Sequence, residues 1–344
     1  MRAGAAVENC DGRVENELSA AKRALLQKVL QQDRPDRAMH TLARHADARA
    51  EPLPAANWRT PVVAIQSGGS KRPLFYMHVH WQGGAFYCFN LAQMLGPDQP
   101  FHILDLYRFD DLPAPPTIET MAADYIAAMR RVQPEGPYQV GAFCGASIIA
   151  YEMAQQLRRA GQEVDLLAFI DPMAGPIESI RWSGGLIREL GRLMRLGSDR
   201  QLDWFLRLRY VSRVLRRARD EYTEHADRLM RRWHEEHPRR FRLLPDAGAL
   251  RQDWLAVFIW AVSAYLPSPY PGKVTYLYAA DNPDRRKLWW GTVTESSDTV
   301  EVRVIPGDHV TCRTEHLKDL ADALLRGLME TTQARPAGAA TQAS

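Results

Sequence analysis

Short apolar runs alternate with amphipathic stretches along most of the chain, from about residue 61 to residue 330. A run of four to eight apolar residues is typical of a buried strand, whereas apolar residues recurring every three or four positions indicate a helix. The pattern predicts seven strands, at VVAI, LFYMH, FHILDL, YQVGAF, DLLAFI, KVTYLY and VEVRVI, with helices after several of them. Such alternation predicts an α/β fold with a mostly parallel central sheet flanked by helices. Active residues of these folds lie on loops beyond the carboxyl ends of strands.

Two segments fall outside this alternation. Residues 1–60 contain one amphipathic stretch, LSAAKRALLQKVLQQD, with Ser19 as a candidate N-cap, and then a polar, proline-containing stretch that predicts a linker. Residues from about 175 to 266 contain no convincing strand but long amphipathic patterns, which predict an inserted helical lid. The predicted organisation is an N-terminal helix and linker over 1–60, a catalytic domain over 61–335 with its lid, and a flexible tail over 336–344.

Composition and charge fit a soluble enzyme, with 46% hydrophobic and 25% charged residues and a net charge of +3. Arginine is concentrated in the lid, because residues 181–242 hold 17 Arg against 9 Asp plus Glu. The four cysteines match neither a zinc motif nor a disulfide framework, which favours a reducing cytoplasm. The first residues lack a signal-peptide core, and no apolar stretch approaches the roughly 20 residues of a membrane span. No recognition motif accompanies the arginines, so we expect neither nucleic-acid nor membrane binding.

The strand YQVGAF leads directly into a cysteine and then a helix. In a nucleophile elbow, a G-x-S-x-G turn between strand and helix exposes the nucleophile. Here the register is residues 142–146, AFCGA, so alanine replaces both outer glycines and cysteine replaces serine, but small flanks remain. The N–H groups at the start of a helix favour a thiolate, which makes Cys144 the candidate nucleophile. The rival hydroxyl, Ser147, precedes two isoleucines on the first helical turn, which predicts a packing role.

A base and an orienting acid are expected at other strand ends. His309 follows the last strand, in PGDHVTCRTEH, at the place of the base in the usual chain order; a solvated loop histidine is the alternative. Asp171 ends the strand after the elbow helix, and Asp281 ends the next strand. Both places can reach the histidine, so position alone leaves the acid open.

The oxyanion of a tetrahedral intermediate needs two donors. The N–H of Gly145 is the expected first donor, and the loop after LFYMH should supply the second, from Val79 or His80. An alternative assigns His78, His80 and His309 to a metal ion. That set is short of acidic partners, so we predict no metal site.

Three stretches carry a family resemblance: RPLFYMHVHWQGG (72–84), IETMAADYIAAMRRVQPEGPYQVGAFCGASIIAYEMAQQLRRAGQEVDLLAFIDP (118–172) and IPGDHVT (305–311). They resemble the thioesterase family of nonribosomal peptide and polyketide assembly lines. The resemblance covers most of residues 61–330 and implies an α/β-hydrolase fold. It further implies Cys144 as nucleophile, His309 as base and, because the family's acid follows the elbow helix and its strand, Asp171 as acid. The chain departs from the family in its loop after His78, with apparently one extra residue near the second oxyanion donor.

The resemblance implies acyl or aminoacyl substrates held as thioesters on the phosphopantetheine arm of a carrier protein, with no cofactor of the enzyme's own. Such carriers are commonly acidic, so the arginine-rich lid would complement them, although a solvated helix face is an equal alternative. The leader helix resembles helical linkers beside assembly-line modules, as a docking element or a packed helix. Lid aromatics are expected to line the acyl pocket or the core: Trp204, Phe205, Trp254 and Trp260.

A cysteine nucleophile changes the expected chemistry, because the acyl-enzyme is itself a thioester. Loading is then nearly thermoneutral, and the acyl group stays activated for an amine or a thiol. We therefore predict a thioesterase-like catalyst of natural-product biosynthesis with a Cys144 acyl thioester, ending in release or transfer. A dedicated carrier-to-carrier acyltransferase and a catalytically dead carrier-binding scaffold are the alternatives.

Overall fold

The computed structural model describes residues 60, 62–78, 86–109, 112, 114–173, 177–219, 246–282 and 300–333. The predicted N-terminal helix and the predicted tail lie outside these residues, as do both predicted sources of the second oxyanion donor, Val79 and His80.

All seven predicted strands are present, and they form one sheet. Their bounds are β1 Val62–Gln66, β2 Leu74–Met77, β3 Phe101–Leu104, β4 Tyr138–Phe143, β5 Val164–Ile170, β6 Val274–Ala279 and β7 Val300–Ile305. The strand order is β1-β3-β2-β4-β5-β6-β7, with β1 antiparallel to β3 and each other pair parallel. The prediction of a mostly parallel sheet is confirmed, and β4 occupies its centre.

Helices cover both faces of the sheet. Their bounds are α1 Phe86–Leu95, α2 Ile118–Met129, α3 Ala146–Arg159, α4 Ile177–Leu193, α5 Ser198–Arg219, α6 Ala247–Arg251, α7 Trp254–Val262 and α8 Leu317–Gln333. One core cluster packs α2 and α3 against the sheet, and a second packs α1 and α8 against it. Because both faces are covered, every residue of β2, β4 and β6 is buried, which explains their continuous apolar sequences.

The helix after the central strand, α3, has clear sequence causes. Buried residues recur along it, and Arg158 and Arg159 in its last turn complement the negative end of the helix dipole. Gly161 ends it in a left-handed conformation, with φ of 72°. The backbone N–H of Gly161 donates to the carbonyl of Arg158 at 2.9 Å, which satisfies one of the last carbonyls.

The predicted insertion between β5 and β6 is helical where the structure describes it, and it contains α4 to α7. These helices have a hydrophobic cluster of their own, formed by Ile187, Leu202, Phe205, Leu206, Leu250, Ala256, Val257, Ile259 and Trp260. Phe258 of α7 packs instead into the core of the sheet, so α7 connects the lid to the body. None of the helices in the described ranges combines the length and hydrophobicity needed to cross a bilayer.

Candidate active site

The chain turns sharply at Cys144, between β4 and α3. Cys144 has φ of 54°, in the left-handed region that residues with a side chain seldom adopt, at a cost on the order of 1–3 kcal/mol. Its backbone N–H donates to the carbonyl of Ile170 at 2.9 Å, which ties the turn to the end of β5. The side chain of Cys144 is partly exposed. The strained turn therefore presents the thiol at the carboxyl edge of the sheet.

The other two cysteines in the described ranges, Cys88 and Cys312, are buried and free. Burial raises the pKa of the Cys88 thiol well above its usual value, and burial raises the pKa of Cys312 to about 12. Both stay protonated at neutral pH and are poor nucleophiles.

Ser147 lies within the first turn of α3 and is fully buried. Its hydroxyl donates to the carbonyl oxygen of Cys144 at 2.5 Å. The rival hydroxyl thus braces the turn rather than facing solvent, as its position in the sequence predicts.

Asp171 is the carboxylate that meets the histidine. It directly follows β5, is fully buried, and has φ of 40°. Its Oδ2 is hydrogen-bonded to Nδ1 of His309, and its Oδ1 accepts from Asn282 Nδ2 at 2.9 Å and from the backbone N–H of Ala279 at 3.2 Å. With both oxygens engaged, the carboxylate is held in one orientation.

The other candidate acid, Asp281, has an exposed side chain. Its backbone N–H donates to the carbonyl of Gly307 at 3.0 Å, so it braces the loop that carries His309. The carboxylate that contacts the histidine is that of Asp171, the one the family resemblance favours.

His309 connects the carboxylate to the thiol. Burial of its ring opposes the protonated form, but hydrogen bonds to Asp171 and Cys144 outweigh it and raise the pKa of His309 to about 10. At neutral pH the ring therefore carries a proton, which places a positive charge between the thiol and the carboxylate. Hydrogen bonds thus link Cys144 and Asp171 through His309, so the structure brings these three predicted site residues together.

The loop that carries His309 is ordered by its own hydrogen bonds. The Oδ1 atom of Asp308 accepts from the backbone N–H groups of Val310 and Thr311, both at 2.8 Å. Gly307 has φ of 85°, and a Cβ there would lie 2.4 Å from Thr311 Oγ1. The position therefore requires glycine, and the histidine is held before any substrate arrives.

Sequence reasoning missed three residues that support this site. Asn282 holds Asp171 through its amide, and the ring of Phe143 lies 4.8 Å from that of His309. Arg313 is buried, and the Cζ atom of its guanidinium lies 4.9 Å from the centre of the Phe143 ring. Asn282 carried a weak signal as a polar residue after β6; Arg313 carried none, because its partners are distant in sequence.

Gly145 is the N-cap of α3, where the first N–H groups have no intrahelical partner, as an oxyanion donor requires. A Cβ at this position would lie 3.5 Å from Phe258 Cε1 and 3.9 Å from Met173 Sδ, so these side chains flank the elbow. The second donor stays a prediction.

Phe109, Trp254 and Phe258 form a row of stacked aromatic rings that ends beside the elbow. Trp254 stacks on Phe258, with ring centres 4.9 Å apart, and Phe109 stacks on Trp254 at 5.6 Å. The indole Nε1 of Trp254 donates to the carbonyl of Tyr107 at 2.8 Å, which fixes the ring. Phe109 and Trp254 remain partly exposed. These stacked rings thus provide an apolar surface next to the elbow.

The other lid aromatics lie elsewhere. Phe205 and Trp260 pack together in the lid's core with ring centres 5.1 Å apart, and Trp204 is 41% exposed. Of the four aromatics expected to line the pocket or the core, Trp254 is the one that joins the row beside the elbow.

Two of the three histidines of the alternative metal site, His78 and His309, lie in the described ranges. His78 is buried with its Nε2 3.3 Å from Asp105 Oδ1, and no three His, Cys, Asp or Glu side chains that the structure describes converge on a point that could hold a metal ion. His80 lies outside these ranges.

The family model for the thioesterase domain matches residues 72–327. An inactive atromentin synthetase, invA4, of Paxillus involutus is 30% identical over 148 residues, or 43% of this chain and 16% of its own length. The atromentin synthetase nps3 of Serpula lacrymans is 30% identical over 155 residues, with the same shares of each chain. The matched segment thus spans about a sixth of these relatives.

Among solved structures, the NocB thioesterase domain in covalent complex with a fluorophosphonate nocardicin G analog is 22% identical. It matches with a TM-score of 0.50 over 78% of this chain and 99% of its own. This likeness supports the α/β-hydrolase type of fold seen in the sheet.

Proposed function

The chain belongs to the thioesterase-domain family, and from that premise we propose that it takes acyl groups from carrier-protein thioesters onto Cys144. The observation that carries the proposal is the hydrogen-bonded line from the Cys144 thiol through His309 to the buried Asp171. A scaffold would have no need of a strained, partly exposed thiol in contact with an oriented imidazole.

In the first half-reaction, the sulfur of Cys144 attacks the carbonyl carbon of the carrier thioester, and His309 holds the proton that leaves the thiol. The oxyanion of the tetrahedral intermediate accepts from the N–H of Gly145 and from a second donor. The intermediate then expels the phosphopantetheine thiolate, which takes the proton from His309. The products are acyl-Cys144 and a free carrier thiol, so bonds and protons balance.

In the second half-reaction, His309 removes a proton from the acceptor as the acceptor attacks the acyl thioester. The intermediate then expels the Cys144 sulfur, which takes that proton back from His309, so the free enzyme is regenerated. If the acceptor is water, the product is a free acid, and if it is an amine, the product is an amide; both outcomes release the acyl group. If the acceptor is the thiol of a second carrier, the acyl group is transferred to that carrier. The cysteine supports transfer as a full alternative, because exchange between two thioesters is nearly thermoneutral in both directions.

The scaffold alternative rests on two observations. The elbow has alanine in both outer positions, and one relative is named an inactive synthetase. Neither alanine obstructs the turn, since Ala142 and Ala146 are accommodated as buried residues on either side of Cys144. We therefore favour the catalyst.

The experiment follows the fate of an acyl group presented on a carrier protein. Wild type should generate free acid, or acylated second carrier when one is added. Cys144→Ala should abolish both products, and His309→Ala should slow them by about 10²- to 10⁴-fold, the usual contribution of an acid–base group. Equal rates in wild type and Cys144→Ala would reject the proposal in favour of the scaffold.

A further inference from the structure

The first lid helix, α4, is apolar on two opposite faces. Its inner face carries buried Ile187 and contributes to the lid's core. Its outer face carries four large apolar side chains at spacings of four, four and three residues, so that they form one continuous row. We call this row the outer stripe; Trp182 is 71% exposed, Leu186 42%, Leu190 40% and Leu193 81%.

Close packing on the inner face holds α4 in this orientation. A Cβ at Gly184 would lie 2.2 Å from Ser263 Oγ, and a Cβ at Gly191 would lie 2.6 Å from the side chain of Gln201. Arg188 donates to the carbonyl of Trp260 at 2.9 Å and lies 3.9 Å above its ring. Because Gly184 and Gly191 leave no room for a Cβ on this face, the larger side chains of the outer stripe do not fit there.

An exposed apolar row of this size is costly in water. Burial of apolar area contributes roughly 25 cal/mol per Å², and contiguous exposed patches generally mark binding sites. A partner that covered the outer stripe would recover that energy.

The surroundings of the outer stripe are positively charged. Residues 177–219 hold 11 Arg against 4 Asp plus Glu, a net charge of +7. Among the side chains of this segment that the structure describes, the exposed arginines are Arg192, Arg195, Arg200 and Arg207. Arg192 pairs with Glu189, and the net charge of +7 already includes both of these residues. The surface fits a partner that combines acidic groups with an apolar contact.

We propose that the outer stripe and its arginines dock an acidic, phosphopantetheine-bearing carrier protein. The inference rests on the proposed function, which requires a carrier to deliver its thioester to Cys144. Arg188 of α4 donates to the carbonyl of Trp260 in α7. Phe258 of α7 flanks the elbow, so a carrier docked on α4 lies on a helix that packs against the one bordering Cys144. Apolar contact provides affinity, and the arginines steer the acidic partner and bind the phosphate of the arm.

The test compares two substrates that differ only in the carrier. An acetyl group is presented on a holo acyl carrier protein or on N-acetylcysteamine, and both are given to wild type, to the double variant Leu186→Ser/Leu190→Ser and to Leu266→Ser. Leu266 is a matched control, because it is a 64% exposed leucine outside α4. The double variant should lose about tenfold or more in kcat/KM with the carrier, equivalent to about 1.4 kcal/mol of binding. It should keep its activity on the small thioester, and the control should keep both.

Equal activity of wild type and double variant on the carrier substrate would overturn the docking proposal while leaving the proposed function intact. If wild type turns over neither substrate, the proposed function fails, and binding of the holo carrier, followed by fluorescence anisotropy, still tests the surface. If the carrier shows the same anisotropy with the double variant as with wild type, the proposed docking surface is rejected. Light scattering that shows a dimer in wild type alone would reassign the stripe to a second copy of the chain. Flotation with vesicles of phosphatidylglycerol that is lost in the variant would reassign it to a membrane.

Discussion

Backbone strain lies where the proposed chemistry takes place. In the described ranges, three residues with a side chain have positive φ, and two of them are Cys144 and Asp171. Each follows a strand of the parallel sheet, and each needs a left-handed turn to direct its side chain over the carboxyl edge. Strain of this kind persists only where surrounding contacts impose it, here the buried strands on one side and the helix on the other.

The identity of the nucleophile should determine the fate of the acyl group. Cys144→Ser replaces the acyl thioester by an oxygen ester, which reacts less readily with thiols. We expect the ratio of transfer to hydrolysis to fall, as measured by mass spectrometry of a second carrier and by chromatography of the free acid. Cys88→Ala is the control, because that buried thiol takes no part in the site and its loss should leave the ratio unchanged. An unaltered ratio in Cys144→Ser would mean that the acceptor is chosen elsewhere.

His309 should make stability depend on pH. Its pKa in the folded protein is about 10, against an ordinary value of 6.5, because its hydrogen bonds outweigh burial. Folding is therefore favoured by protonation, fully below about pH 6.5, and this contribution is lost as pH rises toward 10. The difference in unfolding free energy between wild type and His309→Gln should be larger at pH 6 than at pH 10, as measured by urea titration. A difference that grows with pH would contradict the assigned hydrogen bonds.

At the scale of elements, the ends of neighbouring strands continue each other's hydrogen bonding. Cys144 donates to Ile170 at the end of β5, and Asp171 donates to Leu277 in β6 at 2.8 Å. Farther along, Asp281 donates to Gly307 in the loop after β7. These bonds bring three loops, far apart in sequence, to one edge. Predicting a parallel sheet and the ends of its strands was therefore enough to expect the candidate residues at one edge.

Side chains that support the site were harder to predict. Asn282 and Arg313 act through partners more than a hundred residues away, and no periodicity reports such contacts. The choice between Asp171 and Asp281 was open for a similar reason. Both end a strand, and only burial and side-chain direction distinguish them.

Two adjacent glycines in α4 test whether the inner face fixes the helix. A Cβ at Gly184 would meet Ser263 Oγ at 2.2 Å, whereas a Cβ at Gly185 would meet nothing within 4 Å. Gly184→Ala should destabilise the fold by about 1–3 kcal/mol through overpacking. Gly185→Ala should stabilise it by about 0.5–1 kcal/mol, because alanine loses less backbone entropy in a helix.

The free energies of unfolding of Gly184→Ala and Gly185→Ala, measured by thermal or chemical unfolding, test these expected changes in stability. Similar effects at both positions would mean that α4 can rotate or shift, and would remove the basis for a fixed outer stripe.

At the scale of the whole molecule, the sheet and the lid contribute different parts of the proposed activity. The sheet holds the proposed nucleophile, base and acid at the ends of β4, β7 and β5. The lid brings Trp254 and Phe258 toward the elbow, and Phe109 of the body stacks on Trp254. Apolar runs predicted the sheet because its inner strands are buried on both faces. They could not predict the aromatic row, which depends on how α7 packs over the elbow.

The central claim is that Cys144 carries the acyl group, and intact-protein mass spectrometry after mixing with an acyl-loaded carrier tests it most directly. The account predicts one added acyl mass on wild type, located by peptide mapping to Cys144. The adduct should be absent from Cys144→Ala and retained in Cys312→Ala, which removes a buried thiol. No adduct on wild type, or an undiminished adduct on Cys144→Ala, would contradict it.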